Sequence, residues 1–197
     1  MGIFGALKGG GLRSPRSIRH KRKRLSEILE AHAEFVRGNL KGARADLAEA
    51  DLSRANLEKV NLNYADLRGA NLEGANLREA KLGSADLTKA RLRGADLRKA
   101  DLTEANLAGA DLTEAQVGGA ELFRADLRQA ILRRADFGAT NFRDADVAGA
   151  DFEGASLKTA ILRETKLDGV DLSRADISTA LLPRGYGASK RAGNGQS

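Results

Sequence analysis

The chain carries 27 carboxylate side chains, and the spacing of many of them is regular. Asp46, Asp66, Asp86, Asp126 and Asp146 all stand at multiples of twenty residues from one another. Between residues 46 and 181, Asp or Asn occupies 19 of 28 positions taken five apart. Paired carboxylates can exchange protons or hold hard cations. A second cluster is basic: "LRSPRSIRHKRKR", residues 12–24, holds Arg13, Arg16, Arg19, Lys21, Arg22, Lys23 and Arg24 together with one histidine. Such a run suits phosphate, whether on nucleic acid or on anionic lipid. The other histidine, His32, has no evident second ligand, and a metal site needs several, so a buried structural role is expected. Cysteine is absent, which removes disulfides and thiolate ligands.

The elements that position these groups follow from a period of five. Residues 95–115 read "ADLRKADLTEANLAGADLTEA", with Leu97, Leu102, Leu107 and Leu112 five apart. Such centres run unbroken from Leu47 to Leu182 through 28 units, 22 of them Leu. Val117, Phe137, Phe142, Val147, Phe152 and Ile177 fill the rest. Two places before the centre, 24 of the 28 residues are Ala. On an α-helix five residues turn the chain by about 500°, so no apolar stripe forms. On a strand, odd steps put successive Leu residues on opposite faces. Disorder does not place Leu and Ala so strictly. The pattern demands a coil in which every unit presents the same residue inward.

A-[D/N]-L-x-x in tandem resembles the pentapeptide-repeat proteins, over about 140 of the 197 residues. The resemblance implies an all-β solenoid: a right-handed, quadrilateral parallel β-helix with one unit per side and four per coil. On that frame 28 units make about seven coils, roughly 34 Å of rod at about 4.8 Å per layer. The central Leu or Phe then fills the axis, and the inward Ala stays small because four of them converge in each coil. Asp or Asn braces a corner by bonding nearby backbone, so most of the carboxylates are expected to be structural. Phe137, Phe142 and Phe152 are expected in the core.

A stacked rod needs caps. Leu25, Ile28, Leu29, His32, Phe35 and Val36 follow helical spacing, so residues 25–38 are expected to form an N-terminal capping α-helix stopped by Gly38. Residues 1–24 form a basic arm, expected to be flexible. Residues 39–182 form the repeat body, and residues 183–197 a flexible C-terminal tail. The body carries 21 basic and 24 acidic residues, so the net charge of +6 belongs to the ends.

In fourfold register, one side collects Tyr64, Phe123, Ile161 and Leu181 where other sides carry polar groups, and it is the candidate partner-contact surface. The body has no Cys, His or Trp, and its axis is filled, so neither catalysis, cofactor, metal site nor small-molecule substrate is expected. The favoured reading is a non-enzymatic protein-interaction scaffold whose partner is an unidentified protein or a second copy of the chain. Two alternatives stand beside it. The first is a rod tethered to anionic lipid or nucleic acid through its basic arm. The second, implied by the resemblance, is a DNA-mimicking modulator of DNA gyrase or topoisomerase. The side bearing Asp46, Asp66, Asp86, Asp126 and Asp146 nets only about −3, which makes a poor imitation of a duplex. A cytoplasmic setting, peripheral to the membrane if the arm binds lipid, fits the absence of cysteine.

Overall fold

The computed structural model describes residues 11–186, so expectations for residues 1–10 and 187–197 lie outside the described residues. Through the repeat body, residues pair with residues twenty positions on. Parallel bridges link Asp46 to Asp66, Asp66 to Asp86, and so onward to Ile161 with Leu181. Within each step the bonding repeats. The N–H of Leu47 donates to the Asp66 carbonyl at 2.7 Å, and that of Asp66 to the Ala45 carbonyl at 2.9 Å. A third bond joins Glu49 N–H to the Arg68 carbonyl, and the corner closes with Ala50 N–H on the Leu47 carbonyl at 3.1 Å. The chain therefore completes one circuit every twenty residues, and the central and inward side chains of successive circuits stack. From Ala45 to Leu162, nearly all of them are shut off from water.

The corners have a cost. From Glu49 to Gly169, the last residue of every unit has positive φ, the left-handed conformation that L-residues avoid. Glycine occupies only eight of these places, and Thr159, β-branched, sits at φ +57. Side chains help to hold the turn. Asp51, Asp86, Asp111, Asp136 and Asp171 each accept the backbone N–H two residues on, at 2.9–3.1 Å. The same bond recurs from Asn71 and Asn106. This is the bracing role the sequence assigns to the repeated carboxylates.

One layer is aromatic. Phe137, Phe142 and Phe152 are buried, with ring centroids 5.2, 6.0 and 6.3 Å apart. Close by, Thr140 and Thr165 take the inward place of Ala, and each hydroxyl is satisfied by a carbonyl, of Val117 and Phe142 respectively. Among the described residues the ladder breaks once. No bridge joins Asp151 to Asp171, directly after Val170, which stands where Ala is usual.

The N-terminal end begins with Arg13, which bridges Ala55 in parallel. Strands β1 (Arg19–His20) and β2 (Lys23–Arg24) follow as an antiparallel hairpin. Its two turn residues, Lys21 and Arg22, have φ of 45° and 68°, the pattern of a tight I′ turn. Helix α1 (Leu25–Val36) continues directly from β2. Leu25 and His32 are buried, and Ile28 and Leu29 pack against the core, so one helix face and the buried Ile18 lie on the end of the stack. Phe35, expected on that face, is 38% exposed and stacks on His32 instead. The helix ends in a Schellman arrangement, with Asn39 N–H on the Glu34 carbonyl and Gly38 N–H on that of Phe35. Gly42 then crosses the helix so closely that a Cβ there would meet Phe35 backbone nitrogen at 2.0 Å.

Two changes test this account by urea denaturation. Phe142→Ala is expected to cost about 3–5 kcal/mol by emptying the aromatic layer. Thr159→Gly should instead stabilise the rod by roughly 1 kcal/mol, because relief of the left-handed strain exceeds the added chain entropy.

Candidate functional site

The basic cluster is not the free arm that the sequence suggests; residues 12–24 are folded onto the end of the rod. Arg13 donates its N–H to the Arg54 carbonyl at 2.7 Å and accepts from Asn56 N–H at 2.8 Å. Its guanidinium bonds Asp51 at 2.9 Å and both oxygens of Ser53. Lys21 pairs with Asp46 at 2.5 Å. Arg24 caps α1, its N–H bonded by the Glu27 carboxylate at 3.1 Å. Arg16, Arg19, Arg22 and Lys23 remain exposed. The correction has a physical cause: Ile18 and Leu25 bring buried apolar surface to the segment, and the hairpin satisfies its backbone.

Where hairpin, helix and first unit meet, a cavity of about 180 Å³ opens, lined by His20, Lys21, Lys23, Ile28, Ala31, Ala43, Arg44 and Asp46. Arg44 holds its place by donating from Nε to the Tyr64 carbonyl at 2.5 Å. His20 turns a buried Nε2 that has no hydrogen-bond partner among the described residues. Neither Arg44 nor His20 stood out in the sequence as a site residue, because only the folded cap brings them to one place. His32 is not among the lining residues; it is buried and accepts the Ala45 N–H at Nδ1 over 3.0 Å. Among the described residues, no group of three or more His, Cys, Asp or Glu is arranged to hold a metal ion.

The four apolar residues of the candidate contact side separate in space. Ile161 and Leu181 are register partners in adjoining layers; Leu181 is 45% exposed and Ile161 half-buried. A cleft lined by Arg163, Glu164, Leu182, Pro183 and Arg184 opens in the same stretch of chain. Phe123 sits in a different column, its ring covered by the Arg124 guanidinium at 4.8 Å. Tyr64 is exposed in the first layers, far from the other three. On the acidic side the carboxylates are matched by cations. Asp66 pairs with Arg68 at 2.6 Å, Asp126 with Arg128 at 2.6 Å, and Asp146 with Lys166 at 3.5 Å. Asp86 lies 3.8 Å from Arg68. The guanidiniums of Arg68 and Arg128 hold the Asp66 and Asp126 carboxyls below the ordinary range, with burial opposing.

The family profile described as "Pentapeptide repeats (8 copies)" matches residues 43–78, 80–119, 120–158 and 149–182. The chain belongs to the pentapeptide-repeat family. Among solved relatives, it is 26% identical to the pentapeptide-repeat protein Rfr23 of the cyanobacterium Cyanothece 51142, covering 59% of this chain and 90% of that one at a TM-score of 0.43. It is 30% identical to HetL of Nostoc sp. strain PCC 7120, a pentapeptide-repeat protein involved in heterocyst differentiation regulation; the match covers 72% and 86% of the two chains at a TM-score of 0.26. To QnrB1, a plasmid-mediated fluoroquinolone resistance protein, it is 21% identical over 78% and 86%, with a TM-score of 0.41. No protein of curated function matches it. As in any repeat family, the shared units define a shape, and this chain's own surface must define its role.

The two histidines of this repeat protein make its cap sensitive to acid. Burial pushes the His32 pKa below its ordinary 6.5, Arg44 adds to the shift, and the Asn63 backbone opposes it short of a full hydrogen bond. Burial, then Lys21, lowers that of His20. Both histidines thus bind protons more readily unfolded than folded, so stability is complete above about pH 6.5 and falls as pH drops through that value. The cap should lose hydrogen-exchange protection between pH 7 and 5, in a range above that of the carboxylates. That dependence should weaken in His32→Gln and vanish when His20→Gln is added.

Proposed function

We propose that the chain is a non-enzymatic protein-interaction scaffold, in which a rod of about seven coils, closed at its N-terminal end by α1 and the hairpin, presents the side bearing Ile161 and Leu181. The partner is another protein or a second copy of the chain. The observation that carries this reading is the pairing of those two side chains in adjoining layers, an apolar step on a side that is otherwise polar at that place in the unit, where Ile131 on another side stands alone. The cleft formed by Arg163, Glu164, Leu182, Pro183 and Arg184 supports it by offering polar groups next to the apolar step. A filled axis leaves the rod no internal chamber in which reactive groups could converge, which favours binding over turnover. The cysteine-free composition suits a cytoplasmic setting.

Imitation of duplex DNA toward gyrase draws less support. It would need an uncompensated anionic face, whereas Asp46, Asp66, Asp126 and Asp146 each have a cation within 3.5 Å.

The scaffold reading is tested with Ile161→Ser and Leu181→Ser together in the full chain. Sedimentation and co-purification should show association weakened at least about tenfold, as loss of a central apolar contact implies. Circular dichroism should stay unchanged. Association retained by a folded double variant would remove this side as the contact surface.

A further inference from the structure

The cavity at the N-terminal cap has the makings of a ligand site distinct from the contact side. Three separate stretches supply its walls: the hairpin gives His20, Lys21 and Lys23; the helix gives Ile28 and Ala31; the chain entering the first unit gives Ala43 and Arg44, and that unit Asp46. Three cations therefore face one carboxylate. That carboxylate is already matched by Lys21 at 2.5 Å, which leaves Lys23 and the unbound guanidinium nitrogens of Arg44 in excess. Lys23 has no ion-pair partner among the described residues, although it stands in a hairpin that holds its backbone fixed. The His20 ring lines the same wall and so reports on what enters the cavity. The floor of Ile28, Ala31 and Ala43 is apolar.

We infer that this cavity binds a small phosphate monoester, its dianion held by Lys23 and Arg44 and the carbon substituent resting on Ile28, Ala31 and Ala43, with the His20 ring forming part of the wall. Two excess positive charges match a dianion, and a guanidinium set against an ammonium suits a tetrahedral oxyanion better than a single planar carboxylate. Size narrows the class further. At about 180 Å³ the cavity is smaller than the roughly 300 Å³ at which sites for drug-sized ligands begin, so a phosphate with a few carbons fits and a nucleotide does not. The same headgroup chemistry is offered by a soluble sugar or glycerol phosphate and by phosphatidic acid at a membrane surface.

The test uses the full chain at constant ionic strength, titrated with inorganic phosphate and with glycerol 3-phosphate, while the His20 imidazole resonances are followed. A saturable shift at millimolar ligand or below is expected. Lys23→Ala and Arg44→Ala should each weaken it about tenfold, as loss of one charge-assisted contact implies. Two controls each remove one charge outside the cavity: Arg16→Ala and Arg19→Ala should each change affinity by no more than about twofold, since screened surface charges contribute little. Vesicles containing phosphatidic acid then identify the source. Binding that glycerol 3-phosphate displaces, and that Lys23→Ala with Arg44→Ala abolishes, assigns the lipid headgroup; binding of glycerol 3-phosphate without vesicle binding assigns the soluble ester. No saturable shift in the unaltered chain, or equal weakening by cavity and control variants that retain their circular dichroism, overturns the proposal.

Discussion

Everything in this rod depends on how closely four inward Cβ atoms approach one another in each layer. If the layer is tight, the central side chains touch across the axis, and the backbone finds its partners one layer away or, at the corner, within its own unit. Alanine meets that condition and larger residues do not, unless something else changes. Thr140 and Thr165 are accommodated beside the aromatic layer, where a carbonyl takes each hydroxyl. Val60 lies in the first circuit, where no repeat layer precedes it, and its carbonyl still accepts from Lys81 N–H at 3.0 Å. Val170 has no such relief from below, and there the ladder opens between Asp151 and Asp171.

That constraint also explains why the surface is free to vary. Each layer rests on its neighbours through short bridges rather than long strands, so cohesion accumulates from nearest-neighbour contacts. The turn residues point outward and are chosen for local reasons: an Asp or Asn to hold the N–H two places on, a cation to neutralise it. Arg68 serves Asp66 in its own unit while lying 3.8 Å from Asp86 in the next layer, and Arg133 reaches Asp151 one layer away at 2.5 Å. Exposed pairs of this kind contribute little individually. Their collective effect is to keep a densely charged surface close to neutral, which turns the repeated carboxylates from a reactive array into scaffolding.

The repeat body was legible because its information is local and redundant. Leu97, Leu102 and Leu107 each state the same geometric requirement, and the bracing Asp residues state its corollary. The ends were not legible to the same degree, since their structure is written in contacts between distant residues. Nothing in "HKRK" announces a tight turn, because Lys21 and Arg22 replace the Asn and Gly that normally mark one. Nothing next to Arg13 reveals that it pairs with Ala55, forty-two residues on. Seven cations dominate residues 12–24, within which Ile18 is an isolated apolar residue, yet its burial together with that of Leu25, the first residue of the helix, decides the outcome. Helix α1 was visible from its spacing, yet Phe35 fits that spacing and still leaves the packing face, because the chain must turn away at Gly38 to enter the first unit.

The two ends of the axis are therefore chemically unlike, and this polarity orders the possible roles of the molecule. At the N-terminal end Ile18, Leu25 and one face of α1 seal the stack, and the cations gather over that seal. At the other end Leu167, Ile177 and Leu182 are only partly buried, and Ile161 and Leu181 add apolar surface to the adjoining side. Roughly 30 Å of close-packed coil, some six layer spacings at about 4.8 Å, separates them. A ligand that draws binding energy from charge is directed to one end, and a protein surface that draws it from apolar burial to the other. Since the Debye length at physiological salt is only about 8 Å, charge gathered at the first end is screened out before it reaches the second. On the two proposals made above, the occupants would sit too far apart for either to alter the affinity of the other through charge.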